Sequence, residues 1–463
     1  MMKIFEIGLF IISCLLVYGY VFGFWMQTKK RVVVGILGLA LLLSHAVLEG
    51  FRFQLIPLYL VLALFGVEIA IRLMKKNPDL PVKPSFWKRV VAGSISTFLL
   101  AATLMVSFYF YSVVKIPEPT GPYAVGVTNY HWIDNSREEM YADPPVDHRE
   151  LMIRVWYPAE LTDGAKKAPY ALDSETTSIV ANKLSLDNRW LLKSFLQAEH
   201  HTYTDVPLAD NLDQYPVLIL SPGFGFSPYM YTSQIEALVS HGYIVFGIDH
   251  PYHAEIPTVF PERRMAEGEM VLSEENEEID EQIMVWVEDI LFSIDKINEL
   301  NGHDPQGLMT GRLDISRMGM FGHSFGGAVT AQVMDLEPQI IAGVNMDGFF
   351  YGPVIEEGLA HPFMLLTGSD EMILNDEEGN PVPKEEYPQW AKDFVEDEKR
   401  RREGAMKNNG VTVVLEEADH LSFSDVMLYP SYFGLAEYDA ALLEKINQNL
   451  LEFFHKHMKD VSP

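Results

Sequence analysis

Residues 322–327 read Gly322-His323-Ser324-Phe325-Gly326-Gly327. The run before them, Ser316-Arg317-Met318-Gly319-Met320-Phe321, alternates as a short strand does, and Phe325 to Met334 opens a helix. A strand that turns sharply into a helix at a serine flanked by glycines is a nucleophile elbow. The serine takes a strained backbone conformation, and glycines stand where side chains would collide with the neighbouring turn. Its hydroxyl is thereby held clear of the sheet. Backbone N–H groups of the first helical turn face the position where an oxyanion would form. The pentapeptide alone arises by chance in long chains; the strand before it, the helix after it and the extra glycine turn it into a constraint on the fold.

The surrounding pattern agrees with that constraint. Glu150 to Pro158 reads as an alternating strand ended by proline, and Tyr215 to Leu220 as a continuous apolar strand followed by Ser221-Pro222-Gly223-Phe224-Gly225. Tyr229 to Gly242 fits a helix and Tyr243 to Asp249 the next strand. Ile283, Trp286, Val287, Ile290, Leu291, Ile294 and Ile297 recur at helical spacing before the elbow strand. Apolar strands follow at 340–346, 362–367 and 411–415, and a final amphipathic helix spans about 438–458. Strands alternating with helices predict an α/β fold: a mostly parallel sheet with helices on both faces. The acidic stretches 261–280 and 375–403 read as insertions; the first falls where either a lid or a solvated excursion would sit.

The N-terminal quarter differs in kind. Hydrophobic residues make up 48% of the chain, and they concentrate in four apolar runs at about 4–26, 32–48, 55–72 and 90–114. Their lengths, near the roughly 20 residues that span a bilayer, predict an all-α transmembrane domain of about four helices over 1–114. Basic residues gather at Lys29-Lys30-Arg31 and at Lys75, Lys76, Lys83, Lys88 and Arg89, which would place those loops in the cytoplasm and residues 115–463 outside it. The expectation is a multi-pass protein of a bacterial plasma membrane, in contact with lipid through its N-terminal helices. Residues 1–114 hold 11 Lys and Arg against 4 Asp and Glu, leaving 24 against 60 in the remainder. So acidic a domain argues against nucleic acid and against docking on anionic headgroups. The one cysteine, Cys14, leaves the larger domain no internal disulfide.

A serine nucleophile needs a base to take its proton and a carboxylate to hold that base in the right tautomer. In this fold the chain order is serine, acid, histidine. His420, in Glu417-Ala418-Asp419-His420-Leu421-Ser422-Phe423, follows the last strand and precedes the last helix, where the fold delivers its base. His323 lies inside the elbow, and His200, His201, His455 and His457 fit less well. Asp249-His250-Pro251-Tyr252-His253 suggests a metal pair, but zinc needs at least three protein ligands and no third is evident, so a place on a pocket rim fits better. Two acids compete: Asp347, at the end of the strand after the elbow, and Asp370, one strand later. Either strand end reaches the histidine, so spacing does not decide between them.

Tyr215 to Gly225, Asp249-His250, Gly322 to Ala328, Met346-Asp347-Gly348 and Asp419 to Asp425 together resemble the plasma and type II platelet-activating factor acetylhydrolase family of α/β-hydrolases. The resemblance runs from about Gly121 to the C-terminus. It implies that the acid is Asp347 and that the oxyanion donors are the backbone N–H groups of Phe224 and Phe325. Where such proteins commonly carry His-Gly after the strand, this chain has Pro222-Gly223. The resemblance further implies a serine esterase acting, with no metal or cofactor, on short or oxidised acyl esters of a phospholipid-like alcohol. Phe224, Phe226, Tyr229, Phe325, Phe349, Phe350 and Phe423 neighbour the candidate residues, and part of this set would line an acyl pocket. Two other readings remain: a broad carboxylesterase or polyester hydrolase of dienelactone-hydrolase type, and a catalytically silent membrane protein whose hydrolase fold binds a ligand or partner.

Overall fold

The computed structural model of the protein describes residues 4–22, 28–48, 55–74, 85–109, 115–183, 198–254, 256–273, 276–369, 382–428 and 440–459. They fall into two compact units, one holding the N-terminal helices and the other everything described from Lys115 onward.

The first unit comprises helices α1 (Ile4–Val21), α2 (Thr28–Leu48), α3 (Ile56–Leu73) and α4 (Phe86–Tyr109). Leu9, Val17, Leu55, Leu58, Val61 and Leu100 form its internal apolar cluster, while Ile11, Leu15, Ile36, Leu64 and Phe98 face outward. Here the sequence expectation is corrected. Among the described residues no helix is long and apolar enough to cross a membrane. At 1.5 Å per residue the 18 residues of α1 and of α3 extend only about 27 Å, less than the roughly 30 Å hydrocarbon core. Helices α2 and α4 are longer, but they open on Thr28-Lys29-Lys30-Arg31 and Phe86-Trp87-Lys88-Arg89, so charge occupies their first turns. The four-span domain, the multi-pass plasma-membrane location and the lipid contact through these helices are therefore not supported.

The second unit is built on a ten-stranded sheet. In chain order the strands are β1 (Ala124–Asp134), β2 (Arg149–Ala159), β3 (Lys166–Lys167), β4 (Thr202–Thr204), β5 (Tyr215–Ser221), β6 (Ile244–Asp249), β7 (Val259–Phe260), β8 (Arg264–Met265), β9 (Leu313–His323), β10 (Ile340–Met346), β11 (Phe363–Thr367) and β12 (Gly410–Val414). Their order across the sheet is β12-β11-β10-β9-β5-β6-β2-β1-β4-β3, with β7 and β8 forming a separate small hairpin. From β12 to β6 every pairing is parallel, and β2 then runs antiparallel to both β6 and β1.

A strand covered on both faces must be apolar throughout, and all seven residues of β5 are buried. Helices α5 (Ser174–Lys183) and α6 (Thr232–Ser240) precede the two that pack on β9, across which side chains alternate. Met318 and Met320 join the cluster of Trp286, Val287 and Ile290 from α7 (Asn276–Gly302) and of Ala328 and Val329 from α8 (Phe325–Leu336). Gly319 and Phe321 face Met458 and Phe454 on the other side. Strands β5 and β9 are neighbours, yet the chain leaves β5 for β6 on one side and returns to β9 on the other. Such a switch point opens a crevice at the carboxyl ends of the strands.

Two stretches differ from the sequence reading. Within 375–403, residues 382–403 are described, and Gln389–Met406 form helix α9, crossing from β11 to β12. Within 261–280, a turn and β8 precede α7, which begins at Asn276.

Candidate active site

Ser324 follows β9 and precedes the first residue of α8, with φ 52° and ψ −120°. Few non-glycine residues adopt that conformation, and here the neighbours enforce it. Ser324 N–H donates to Met346 O at 2.9 Å, and its carbonyl accepts from Gly327 and Ala328. A Cβ on Gly322 would collide with the Gly326 carbonyl, and one on Gly326 with the Ser221 and Pro222 carbonyls. The glycines thus let helix, elbow and the loop after β5 close on one another.

His420 begins a 3-10 turn, His420–Phe423, beyond β12. Asp419 caps it: its carboxylate accepts from Ser422 N–H at 2.9 Å, while Asp419 N–H donates to Ser422 Oγ at 3.0 Å. The imidazole then lies with Nε2 3.0 Å from Ser324 Oγ and Nδ1 2.7 Å from Asp347 Oδ2. The other carboxylate oxygen, Oδ1, accepts from Thr367 Oγ at 2.6 Å and from Gly368 N–H at 3.1 Å. The end of β10 therefore presents Asp347 to His420, and the end of β11 supplies two of its donors. Asp370 lies outside the described residues.

Burial works against the charge on Asp347, but hydrogen bonds from His420, Thr367 and Gly368 outweigh it and hold the carboxyl below its usual range. An ionised carboxylate only accepts, so the His420 proton sits on Nδ1 and Nε2 is free to accept the serine proton. Half of the His420 side chain is exposed, so water and substrate can reach it. Such a line can deprotonate a hydroxyl and stabilise the resulting imidazolium.

Phe224 lies in the turn after β5, and Phe325 is the first residue of α8. Neither backbone N–H has a protein acceptor among the described residues. The turn passes close to the elbow: a Cβ on Gly223 would lie 3.0 Å from His323 Nδ1 and 3.4 Å from Ser324 Cβ. Two donors without a protein acceptor thus lie in the segments that flank Ser324.

Spacing gave no hint of several supporting groups. His323 is fully buried, and burial pushes its imidazole down to about 3, so it is neutral. Its Nε2 is 2.8 Å from the His420 carbonyl, and its Nδ1 is 2.9 Å from the Tyr231 hydroxyl, which accepts from Gly223 N–H at 2.9 Å. One imidazole thus links the His420 backbone to the loop carrying Phe224. His250 is also fully buried, bonded to Ser221 and Asp289, and so is not on a pocket rim as the sequence suggested. Among the described residues no group of three or more His, Cys, Asp or Glu side chains could hold a metal ion.

The aromatic set divides. Phe350 and Phe423 are core residues, 5% and 0% exposed, whereas Phe349, two positions after Asp347 in the chain, is 41% exposed. Tyr229 lines a cavity of about 660 Å³ beside β1, β2 and β6 that shares no residue with Ser324, Asp347 or His420.

The family model described as platelet-activating factor acetylhydrolase, isoform II, matches residues 108–370, more than half of the chain. The chain belongs to this family. It is an enzyme, a serine ester hydrolase. Among similar curated proteins, a probable 1-alkyl-2-acetylglycerophosphocholine esterase of Arthroderma benhamiae is 25% identical, over 58% of this chain and 67% of that protein. The platelet-activating factor acetylhydrolase of Gallus gallus is 21% identical, over 77% and 87%. Among solved structures, a ferulic acid esterase from Streptomyces cinnamoneus superposes with a TM-score of 0.58 at 23% identity, over 76% of this chain and 95% of that one. That likeness speaks to the fold, an α/β-hydrolase sheet.

Proposed function

We propose that the protein hydrolyses esters of short or oxidised acyl chains, including those of a phospholipid-like alcohol, through an acyl-enzyme on Ser324. The observation that carries this reading is the unbroken line from Asp347 Oδ2 through His420 to Ser324 Oγ, with contacts of 2.7 and 3.0 Å. Ser324 Oγ attacks the carbonyl carbon as His420 Nε2 takes its proton. The carbonyl oxygen gains negative charge within reach of the Phe224 and Phe325 N–H groups, and Asp347 offsets the charge on the imidazolium. His420 returns the proton to the leaving alcohol. Water, deprotonated by the same nitrogen, then attacks the acyl carbon, and the serine leaves with its proton restored.

The names borne by its relatives support a short acyl group on a glycerophospholipid. The aromatic rings of Phe224, Phe325, Phe349 and Tyr351, neighbours in a chain of ring contacts, supply an apolar wall for it. The test is hydrolysis by the full chain of p-nitrophenyl esters from acetyl to palmitoyl, beside a short-chain phosphatidylcholine. The reading expects turnover that falls with acyl length and includes the phospholipid. Turnover of simple esters alone would make the protein a general carboxylesterase, and none at all would leave a binding role.

A further inference from the structure

Beneath the elbow lies a second serine, histidine and aspartate in line. Ser221 Oγ is 3.1 Å from His250 Nε2, and His250 Nδ1 is 2.8 Å from Asp289 Oδ2. These distances nearly repeat those at Ser324, but Ser221, His250 and Asp289 are all 0% exposed, so no substrate reaches them. Asp289 is held from behind by Arg149, whose Nη2 and Nε reach it at 2.7 and 3.0 Å, and by Arg137 at 2.8 Å; Arg149 also pairs with Glu139 at 2.9 Å. Burying so many charges is costly unless their mutual geometry serves something, and fully satisfied polar networks fix one arrangement of the backbone.

What this network fixes is the loop that carries Phe224. Ser221 is the last residue of β5, three positions before Phe224, and its hydroxyl is tied to His250. The His250 ring stacks on Trp286 at 4.1 Å and 9°. Trp286 in turn lies parallel to Phe224, at 6.2 Å and 11°, and meets the edge of Phe325 at 4.9 Å and 89°. The side chains of both residues with unengaged N–H groups therefore rest on one indole, itself seated on His250. His253 packs on the same indole at 4.4 Å, and its Nε2 is 3.0 Å from the Phe226 carbonyl, closing the far side of the loop.

We infer that Asp289, His250, Ser221 and Trp286 are positioning residues that set the direction of the Phe224 N–H, and so the strength of the oxyanion hole. This rests on the catalytic reading of Ser324. Asp289, acceptor only, keeps the His250 proton on Nδ1, so Nε2 accepts from Ser221 and the hydroxyl has one orientation. Without that bond the turn after β5 gains freedom just where a small rotation moves an N–H off the oxyanion.

The test compares the full-length parent with Ser221→Ala, His250→Gln and a control, Ser293→Ala. The control removes a buried hydrogen bond to the Asp289 backbone carbonyl, 2.7 Å long, and leaves the carboxylate that meets His250 in place. Loss of a whole oxyanion donor lowers kcat by about 10²–10³-fold, so a displaced one is expected to lower it by about tenfold. Ser221→Ala and His250→Gln should show that loss with KM within about twofold of the parent, and should weaken a trifluoromethyl ketone, which mimics the tetrahedral state, in proportion to kcat/KM. Affinity for a non-hydrolysable amide should stay unchanged, as should all constants of Ser293→Ala. The inference is overturned if kcat of both loop variants stays within about twofold of the parent, if ketone and amide weaken together, or if Ser293→Ala loses as much. A parent with no Ser324-dependent turnover would instead sink the catalytic reading itself, and this inference with it.

Discussion

Replacing Asp347 by asparagine changes one atom, and the structure dictates how the new amide would sit. Thr367 Oγ and Gly368 N–H both donate to Oδ1, whereas His420 faces Oδ2. Asparagine satisfies the first two only if its carbonyl keeps the Oδ1 position, which puts the NH₂ group against His420 Nδ1. That nitrogen must then accept, the ring proton moves to Nε2, and Ser324 Oγ faces a donor where it needs a base. The packing is preserved, so the loss belongs to chemistry. An inverted tautomer of this kind costs about 10³–10⁴-fold in kcat, or roughly 4–5.5 kcal/mol of transition-state stabilisation. The assay is p-nitrophenyl acetate hydrolysis by the full chain near neutral pH, with thermal unfolding as the control. KM should change little and the melting temperature by only a few degrees. A loss of kcat below about tenfold in a folded variant would refute the tautomer reasoning and reopen the choice of acid.

Other outcomes follow from the same contacts. Gly326→Ala should lose at least about 1–3 kcal/mol of stability and most activity, because the new Cβ meets the Ser221 and Pro222 carbonyls; wild-type unfolding in urea would refute the packing argument. Thr367→Val removes one of the two donors to Asp347 Oδ1, so the carboxyl should titrate higher and the acid limb of the kcat/KM profile should move to higher pH; an unmoved limb counts against that role. Asp249 is pushed up to about 7 by burial. Its folded value lies above its unfolded value near 4, so the folded state holds the proton longer, and stability falls as pH rises from about 4 to about 7. Asp249→Asn should flatten that part of the melting-temperature profile, and an unchanged slope would place the titration elsewhere.

Much of the sheet could be read directly, because parallel strands buried on both faces are written as unbroken apolar runs, as in Tyr215 to Leu220. The elbow was legible for a steric reason: only glycine fits at 322 and 326. The acid was harder. Strands β10 and β11 are neighbours whose ends both meet the His420 loop, so spacing alone could not choose between Asp347 and Asp370, and only resemblance favoured the former. Helix α9 was hidden by its surface: of its residues only Ala391 and Ala405 are buried, and its charged run looks like a solvated excursion. Strand β1 was missed because Gly126 and Asn129 interrupt its alternation. The buried network was invisible for another reason. Arg149, Ser221, His250 and Asp289 come from four separate segments, and no local spacing links them. The N-terminal reading failed because the length of an apolar run is a poor measure of the helix it forms when charged residues occupy the first turn.

The most direct measurement is to trap the acyl-enzyme. The full chain and its Ser324→Ala variant would be mixed with p-nitrophenyl acetate, quenched in acid within the first turnovers, digested and mapped by mass spectrometry. The account predicts a single acetyl group on the peptide containing Ser324, present in the parent, absent from the variant and accompanied by loss of turnover. An acetyl group on any other residue, or undiminished hydrolysis by Ser324→Ala, would contradict it.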